Sequence, residues 1–172
     1  FNLAYVYAQM GDRVLIVDWD VHHGNGTQEI FYEDPSVFYF STHMWPFYPG
    51  TGAALEKGLG KGKGFTMNCP LAAGSGRKEH VDAFMQKLVP AMRAFKPEFV
   101  LVSAGFDGMA NDPIGRHLMK AEDYAELTGI VMGIASEYTD GRIVSVLEGG
   151  YNLSDLASAV GAHVGKLAEN CA

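Results

Sequence analysis

The stretch "VDWDVHHGNG", residues 17 to 26, sets two aspartates and two histidines between Asp18 and His23, directly after an apolar run. In an extended strand, side chains two apart share one side, so Asp18, Asp20 and His22 are expected to converge where the strand frays into its loop. Two carboxylates and an imidazole crowded at one place need a cation to neutralise them. A blander reading has the aspartates capping a helix that starts near Asn25, with the histidines solvated. A second signal lies at "SAGFDGMANDP", where Asp107 ends another buried run between Gly105 and Gly108, which allow close backbone approach. A third run ends in "EGGYN" and offers Tyr151. Asp20, His22 and Asp107 would supply three ligands and leave open positions, as in catalytic zinc centres. Oxygen-rich ligation also admits Fe(II), Mn(II) or Co(II).

The elements that must carry these groups are readable from periodicity. Five apolar, β-branched runs predict strands at 13–20, 36–43, 64–71, 99–107 and 143–151. Three of them are apolar on both faces, which predicts an α/β fold with an open parallel sheet and helices on both faces. A helix is expected across "RKEHVDAFMQKLVPAMRAFKP". Its stripe is Val81, Phe84, Met85, Leu88, Val89, Met92 and Phe95, with Pro90 either kinking it or accommodated locally and Pro97 stopping it. A second helix follows in "AEDYAELTGIVMGIASEY", and a third from Asp155 to about Ala168 with Ser154 as a possible cap. "GLGKGKG", 58 to 64, fits no phosphate-binding pattern and is expected to be a solvated loop.

Length and composition set bounds. The 172 residues suit one core, and a 48% hydrophobic content is that of a globular domain. A net charge of −7 disfavours broad nucleic-acid binding and favours cationic ligands. No apolar run is long enough for a bilayer span, so no membrane partner is expected. Cys69 and Cys171 are too few for a disulfide framework, pointing to a reducing, cytoplasmic setting, or a nuclear one in a eukaryote. The opening "FNLAYVYAQMGDR" lacks an initiator Met and is already in helical rhythm, which leads us to expect an N-terminally truncated piece of a longer chain.

Taken in order, "VDWDVHHGNGTQ", "YFSTH", "FYPGTG", "AGFDGMANDP" and "LEGGYNL" resemble the second half of the histone deacetylase family, with its arginase-like α/β fold. The likeness runs from Phe1 to about Ala168 and treats residues 1–172 as the C-terminal part of a single deacetylase-like catalytic domain. It is closest to class II and to bacterial deacetylase-like, acetoin-utilisation-type members, since Asn25 stands where class I enzymes usually carry Asp. The resemblance implies Asp20, His22 and Asp107 as Zn2+ ligands, with Fe2+ or Co2+ as substitutes, and Tyr151 as the hydroxyl that hydrogen-bonds the substrate carbonyl. It implies Asp18 as a catalytic carboxylate that orients a histidine. Asp18 also shares a structural K+ with Asp20, His22, Ser41 and Thr42. A second K+ site would fall near Phe31, Asp34, Val37 and Phe65. Tyr48, Gly150 and, at the rim, Ile114 would line an acyl-lysine tunnel.

The implied chemistry is hydrolysis of an N-acyl amide such as acetyl-lysine in proteins, or of a small acylated amine. The family's general base is a tandem histidine pair that precedes the matched segment, so this chain is expected to have little activity by itself. Ile114 occupies the place where polyamine-directed relatives tend to carry an acidic gatekeeper, which favours acyl-lysine. His80 and His117 are expected at the solvent or rim, His163 on the last helix, and His23 and His43 in supporting hydrogen bonds. Two other functions compete. A binuclear manganese ureohydrolase of the arginase or agmatinase type would need further bridging aspartates beyond Asp107 and Asp112. A non-catalytic acyl-lysine-binding pseudo-deacetylase would keep the fold without turnover. An unfinished sheet would leave an edge prone to self-association, so an oligomer is possible.

Overall fold

A computed structural model describes residues 13–169. The expected N-terminal helix and Cys171 lie outside the described residues. All five expected strands are present: β1 (Val14–Asp18), β2 (Val37–Met44), β3 (Thr66–Leu71), β4 (Phe99–Ala104) and β5 (Ile143–Leu147). They form one parallel sheet in the order β3-β2-β1-β4-β5. The chain winds from β1 outward to β3, then returns to β4 on the other side of β1. The order therefore reverses between β1 and β4, and open α/β sheets bind ligands beyond the carboxyl ends of strands at such a reversal.

Helices cover the two faces unequally. Leu15, Val17, Phe40, Val100 and Val102 face the main core, where they meet Phe84, Leu88, Met92, Leu127, Val131 and Ala159. The helices on that side are α2 (Arg77–Ala83), α3 (Val89–Phe95), α4 (Ala121–Tyr138) and α5 (Leu153–Ala168). On the opposite face, Val14, Ile16, Val37, Tyr39, Phe99 and Leu101 form a smaller cluster with Phe31, which follows the short α1 (Asn25–Ile30). Burying each such side chain contributes about 1.5–3 kcal/mol, so the larger face dominates stability. The 58–64 loop is as expected apart from one 3₁₀ turn at Gly60–Gly62. Among the described residues no helix is long and apolar enough to cross a membrane.

Three local expectations are corrected. Pro90 is accommodated locally, one of the two outcomes expected for it: the turn before it, Phe84–Leu88, winds as a π-helix between α2 and α3. Proline has no N–H for the i−4 carbonyl and its ring crowds that carbonyl, and a wider turn relieves both. The extra residue shifts the phase of the stripe, so Met85, expected in the core, is 51% exposed while Phe84 is fully buried. The last helix begins at Leu153, and its cap is Asn152, which accepts from the Asp155 N–H at 3.3 Å, rather than Ser154. His80 and His117 are not solvent residues. They are 2% and 1% exposed, with His80 Nε2 3.2 Å from His117 Nδ1, which joins α2 to the segment before α4.

Burial, with the neighbouring imidazole adding to it, holds His80 down at about 3, and burial holds His117 down at about 4. Both are neutral in the folded chain at pH 7, whereas in the unfolded chain each titrates near 6.5. The unfolded state therefore binds more protons below about pH 6.5, and stability falls as pH drops from there toward the folded values. Each histidine contributes up to ~1.4 kcal/mol per pH unit in that window. Urea denaturation between pH 7 and pH 5 is expected to show this slope, and a His80→Phe, His117→Leu double variant a shallower one; equal slopes would refute the assignment. The phase shift makes a second prediction. Phe84→Ala is expected to cost about 3–5 kcal/mol and Met85→Ala under about 1 kcal/mol in the same assay.

Candidate metal centre

The loop after β1 and the loop after β4 meet at the sheet reversal. One donor atom from each of Asp20, His22 and Asp107 lies within 4.8 Å of the others. His22 Nδ1 is 3.0 Å from both Asp20 Oδ1 and Asp107 Oδ2. Only the first contact has hydrogen-bond direction, which leaves Asp107 Oδ2 buried and without a donor. The other carboxylate oxygens are taken: Asp107 Oδ1 accepts from the Val21 N–H at 2.8 Å, and Asp20 Oδ2 from the Gly149 N–H at 2.9 Å. Each aspartate is thus oriented by a backbone N–H; Asp20 Oδ1 also accepts from the His22 N–H at 2.8 Å, and Asp107 Oδ2 alone is left free toward the shared space. Bonds of 2.0–2.2 Å in a tetrahedron place ligand atoms about 3.3 Å apart, close to the separations here. A divalent cation fits this donor set.

The electrostatics agree. The carboxylates of Asp107 and Asp20, each 3.0 Å from Nδ1, favour the protonated imidazole and raise His22 to about 10, and burial raises Asp107 to about 6. Burial also pushes Asp20 up, but hydrogen bonds from His22 and Gly149 outweigh it and hold the carboxyl below its usual value. In the polypeptide alone, a proton on His22 does the neutralising that a cation would do better.

Close approach requires glycine. A Cβ on Gly149 would sit 2.5 Å from Asp107 Oδ2 and 2.6 Å from Asp20 Oδ2, and one on Gly105 would collide with the Asp20 carboxylate. Gly150 has φ +144°, in the region that favours glycine, and turns the chain so that Tyr151 follows at the cavity wall. That cavity, of about 580 Å³, is lined by Asp18, Asp20, His22, Tyr48, Glu148 and Tyr151 among others. The Tyr151 phenol is 49% exposed. Partial burial and the charges of Asp107, Asp20, Asp112 and Glu148 raise its pKa, which keeps it a proton donor.

Asp18 is close but separate. Its Oδ1 accepts from the Asp20 N–H at 3.1 Å and its Oδ2 from the Tyr39 hydroxyl at 2.9 Å, so among the described residues it orients no histidine. Burial and the charge of Asp20 raise its pKa well above the usual carboxylate range. Neither Asp18 nor Asp20 caps α1, whose cap position is Gly24 without a side-chain bond. Ser41 pairs in register with Asp18; its hydroxyl meets His43 Nδ1 at 2.9 Å, and the Thr42 hydroxyl is buried without a partner. Of the second cation group, Phe31 and Val37 are packed in the small cluster, Phe65 precedes β3 and packs against the main core while its carbonyl accepts from the Tyr39 N–H at 2.8 Å, and Asp34 Oδ1 accepts from the Ser36 N–H at 2.8 Å.

Two features escaped the sequence. Phe47 stacks on His22 with ring centroids 5.2 Å apart, closer than the expected Tyr48, which stands edge-on at 6.3 Å. His23 joins Thr51 at 2.8 Å and Gln28 at 3.0 Å, and Gln28 donates to Glu56 at 2.7 Å, fixing the loop that carries Phe47 and Tyr48. Burial lowers His23, and lowers His43 to about 4, consistent with the supporting roles expected of them. His163 is on the last helix as expected, bonded to Thr128 and Ser145. Ile114 is exposed, and neither it nor Gly150 is among the residues that line the cavity.

The chain is thus an open parallel α/β sheet with a carboxylate–imidazole–carboxylate group at its reversal. The histone deacetylase domain model matches residues 2–167. A probable deacetylase of Archaeoglobus fulgidus is 46% identical over 142 residues, 83% of this chain and 40% of that protein. The human polyamine deacetylase HDAC10 is 46% identical over 155 residues, 86% of this chain and 22% of that protein. The crystal structure of the HDA15 HD domain superposes with a TM-score of 0.89 at 42% identity, covering 95% of this chain and 46% of that one. The chain belongs to the histone deacetylase family. It spans less than half the length of each of these relatives.

The glycine contacts give a test. Gly149→Ala is expected to weaken divalent-cation binding by about 100-fold or more, since it displaces two ligand carboxylates. Gly133→Ala, on α4 with open space around its Cβ, should leave binding unchanged. Isothermal titration with zinc on both variants measures it, and equal affinities would count against the geometry.

Proposed function

We propose that this chain supplies the metal and oxyanion half of a zinc-dependent N-acyl amide hydrolase acting on acetyl-lysine in proteins, or on a small acylated amine. The observation that carries the reading is the convergence of Asp20, His22 and Asp107, with Asp107 Oδ2 buried and unpartnered beside Tyr151's turn. These three residues would hold the zinc. When bound, the ion polarises the acyl carbonyl and lowers the pKa of water. Tyr151 donates its phenolic proton to the oxygen as charge develops there, and the surrounding carboxylates keep that proton in place. Phe47 and Tyr48 flank His22 and offer flat apolar walls to an extended acyl-lysine stem, and Ile114 adds no charge that would select a second amine. Structural K+ held around Asp18 and Ser41 would offset the charge of a carboxylate buried beneath the centre.

A general base must take the water's proton. The sequence holds one adjacent histidine pair, His22–His23, and His22 is assigned to the metal. Binding without turnover is the behaviour expected of these residues alone. A binuclear manganese ureohydrolase is disfavoured, since Asp112 accepts three backbone N–H groups and has no free oxygen facing the trio.

Metal analysis of the purified chain is expected to give one zinc per chain, lost in Asp107→Ala, with an acetyl-lysine peptide bound only by the zinc-loaded form. A folded chain that takes up no zinc, or two manganese ions, would sink the proposal.

A further inference from the structure

Asp112 lies in the segment between β4 and α4, five residues beyond Asp107, and is nearly buried. Its carboxylate receives three donors. Oδ1 accepts from the N–H groups of Ile114 and Gly115, each at 2.9 Å, and Oδ2 accepts from the N–H of Tyr151 at 2.8 Å. One side chain therefore joins three parts of the site. Ile114 is its rim, Gly115 packs so tightly that a Cβ there would strike the Asp107 carbonyl oxygen, and Tyr151 is its phenol. A parallel tie, Asn152 Nδ2 donating to the Asn111 carbonyl at 3.2 Å, links the same two segments one residue along.

Tyr151 needs such a link. Its phenol is half exposed and makes no hydrogen bond among the described residues, and the two residues before it are glycines with no side chains to lock the turn. What fixes Tyr151 is its backbone N–H.

We propose that Asp112 is a positioning residue that sets the catalytic tyrosine by clipping the backbone of Tyr151 to the rim loop. The proposal rests on Tyr151 having the role assigned above. Asp112 acts through the second carboxylate oxygen. A turn over Ile114 and Gly115 needs only one acceptor, and asparagine supplies that equally well. In Asp112→Asn the amide oxygen keeps the turn, and the amide nitrogen then faces the Tyr151 N–H, donor against donor. The substitution removes the clip and spares the loop.

The test uses the full chain labelled with 15N-tyrosine, in which Tyr151→Phe identifies the Tyr151 amide by its missing signal. In Asp112→Asn, hydrogen exchange at the Tyr151 amide is expected to accelerate about 10-fold or more, while the amides of Tyr39 and Tyr124 in the core keep their rates. Affinity of the zinc-loaded chain for an acetyl-lysine peptide should fall in Asp112→Asn by about as much as in Tyr151→Phe, with no further loss in the double variant. Unchanged exchange at Tyr151 overturns the proposal. So does a general loss of protection that reaches Tyr39 and Tyr124, or an Asp112→Asn loss that persists undiminished in the Tyr151→Phe background. A wild-type chain that binds no peptide sinks the proposed function instead, and the exchange rates then decide on Asp112 alone.

Discussion

Burying two carboxylates against one imidazole is the constraint around which this chain is arranged. Charged groups leave water only when something neutralises and orients them. Here Val21, Gly149 and His22 take three of the four carboxylate oxygens of Asp20 and Asp107, and the fourth, Asp107 Oδ2, is left pointing at the shared space. The backbone has been shaped to let this happen. Glycines stand at 105 and 149, where any side chain would run into the Asp20 or Asp107 carboxylate.

The sheet supplies the rigidity that such a centre needs. β1 and β4 are adjacent, parallel and almost entirely buried, so the two loops that carry the ligands leave from a common floor in fixed register, Asp18 opposite Ser103. Metal ligands on the ends of packed strands are held more precisely than ligands on free loops. A second layer lies to one side, where the polar chain from His23 through Gln28 to Glu56 fixes the loop bearing Phe47. In that layer His23 and Gln28 add orientation, and the Glu56 carboxylate at its outer end is held below its usual pKa, despite some burial, by hydrogen bonds from Gln28 and the backbone of Ala53 and Gly52.

Much of this was legible in the sequence. Strands announce themselves by runs of β-branched and aromatic residues, and Asp20, His22, Asp107 and Tyr151 stand at their ends, where the chain must leave the sheet. What was not legible depends on pairings between distant positions or on small changes of phase. His80 and His117 are 37 positions apart, and only the docking of α2 brings them together. Met85 fits a regular helical stripe, and the π-helical turn that Pro90 imposes rotates it outward. Phe47 sits in a loop whose path periodicity does not describe. The three-way contact of Asp112 likewise joins a rim loop to a strand end 39 positions later.

Hydrogen bonds hold the turn that follows β5. β1 is fully buried, so the loop after it leaves from a packed floor. Tyr151 follows two glycines, which bring no side chain to lock the turn. Backbone N–H groups donated to Asp20 and Asp112 take over this task. Asp20, one of the two carboxylates of the centre, therefore also fixes the turn that leads to the tyrosine, and Asp112 joins it from outside the centre. A charge change at either one is felt in position as well as in potential.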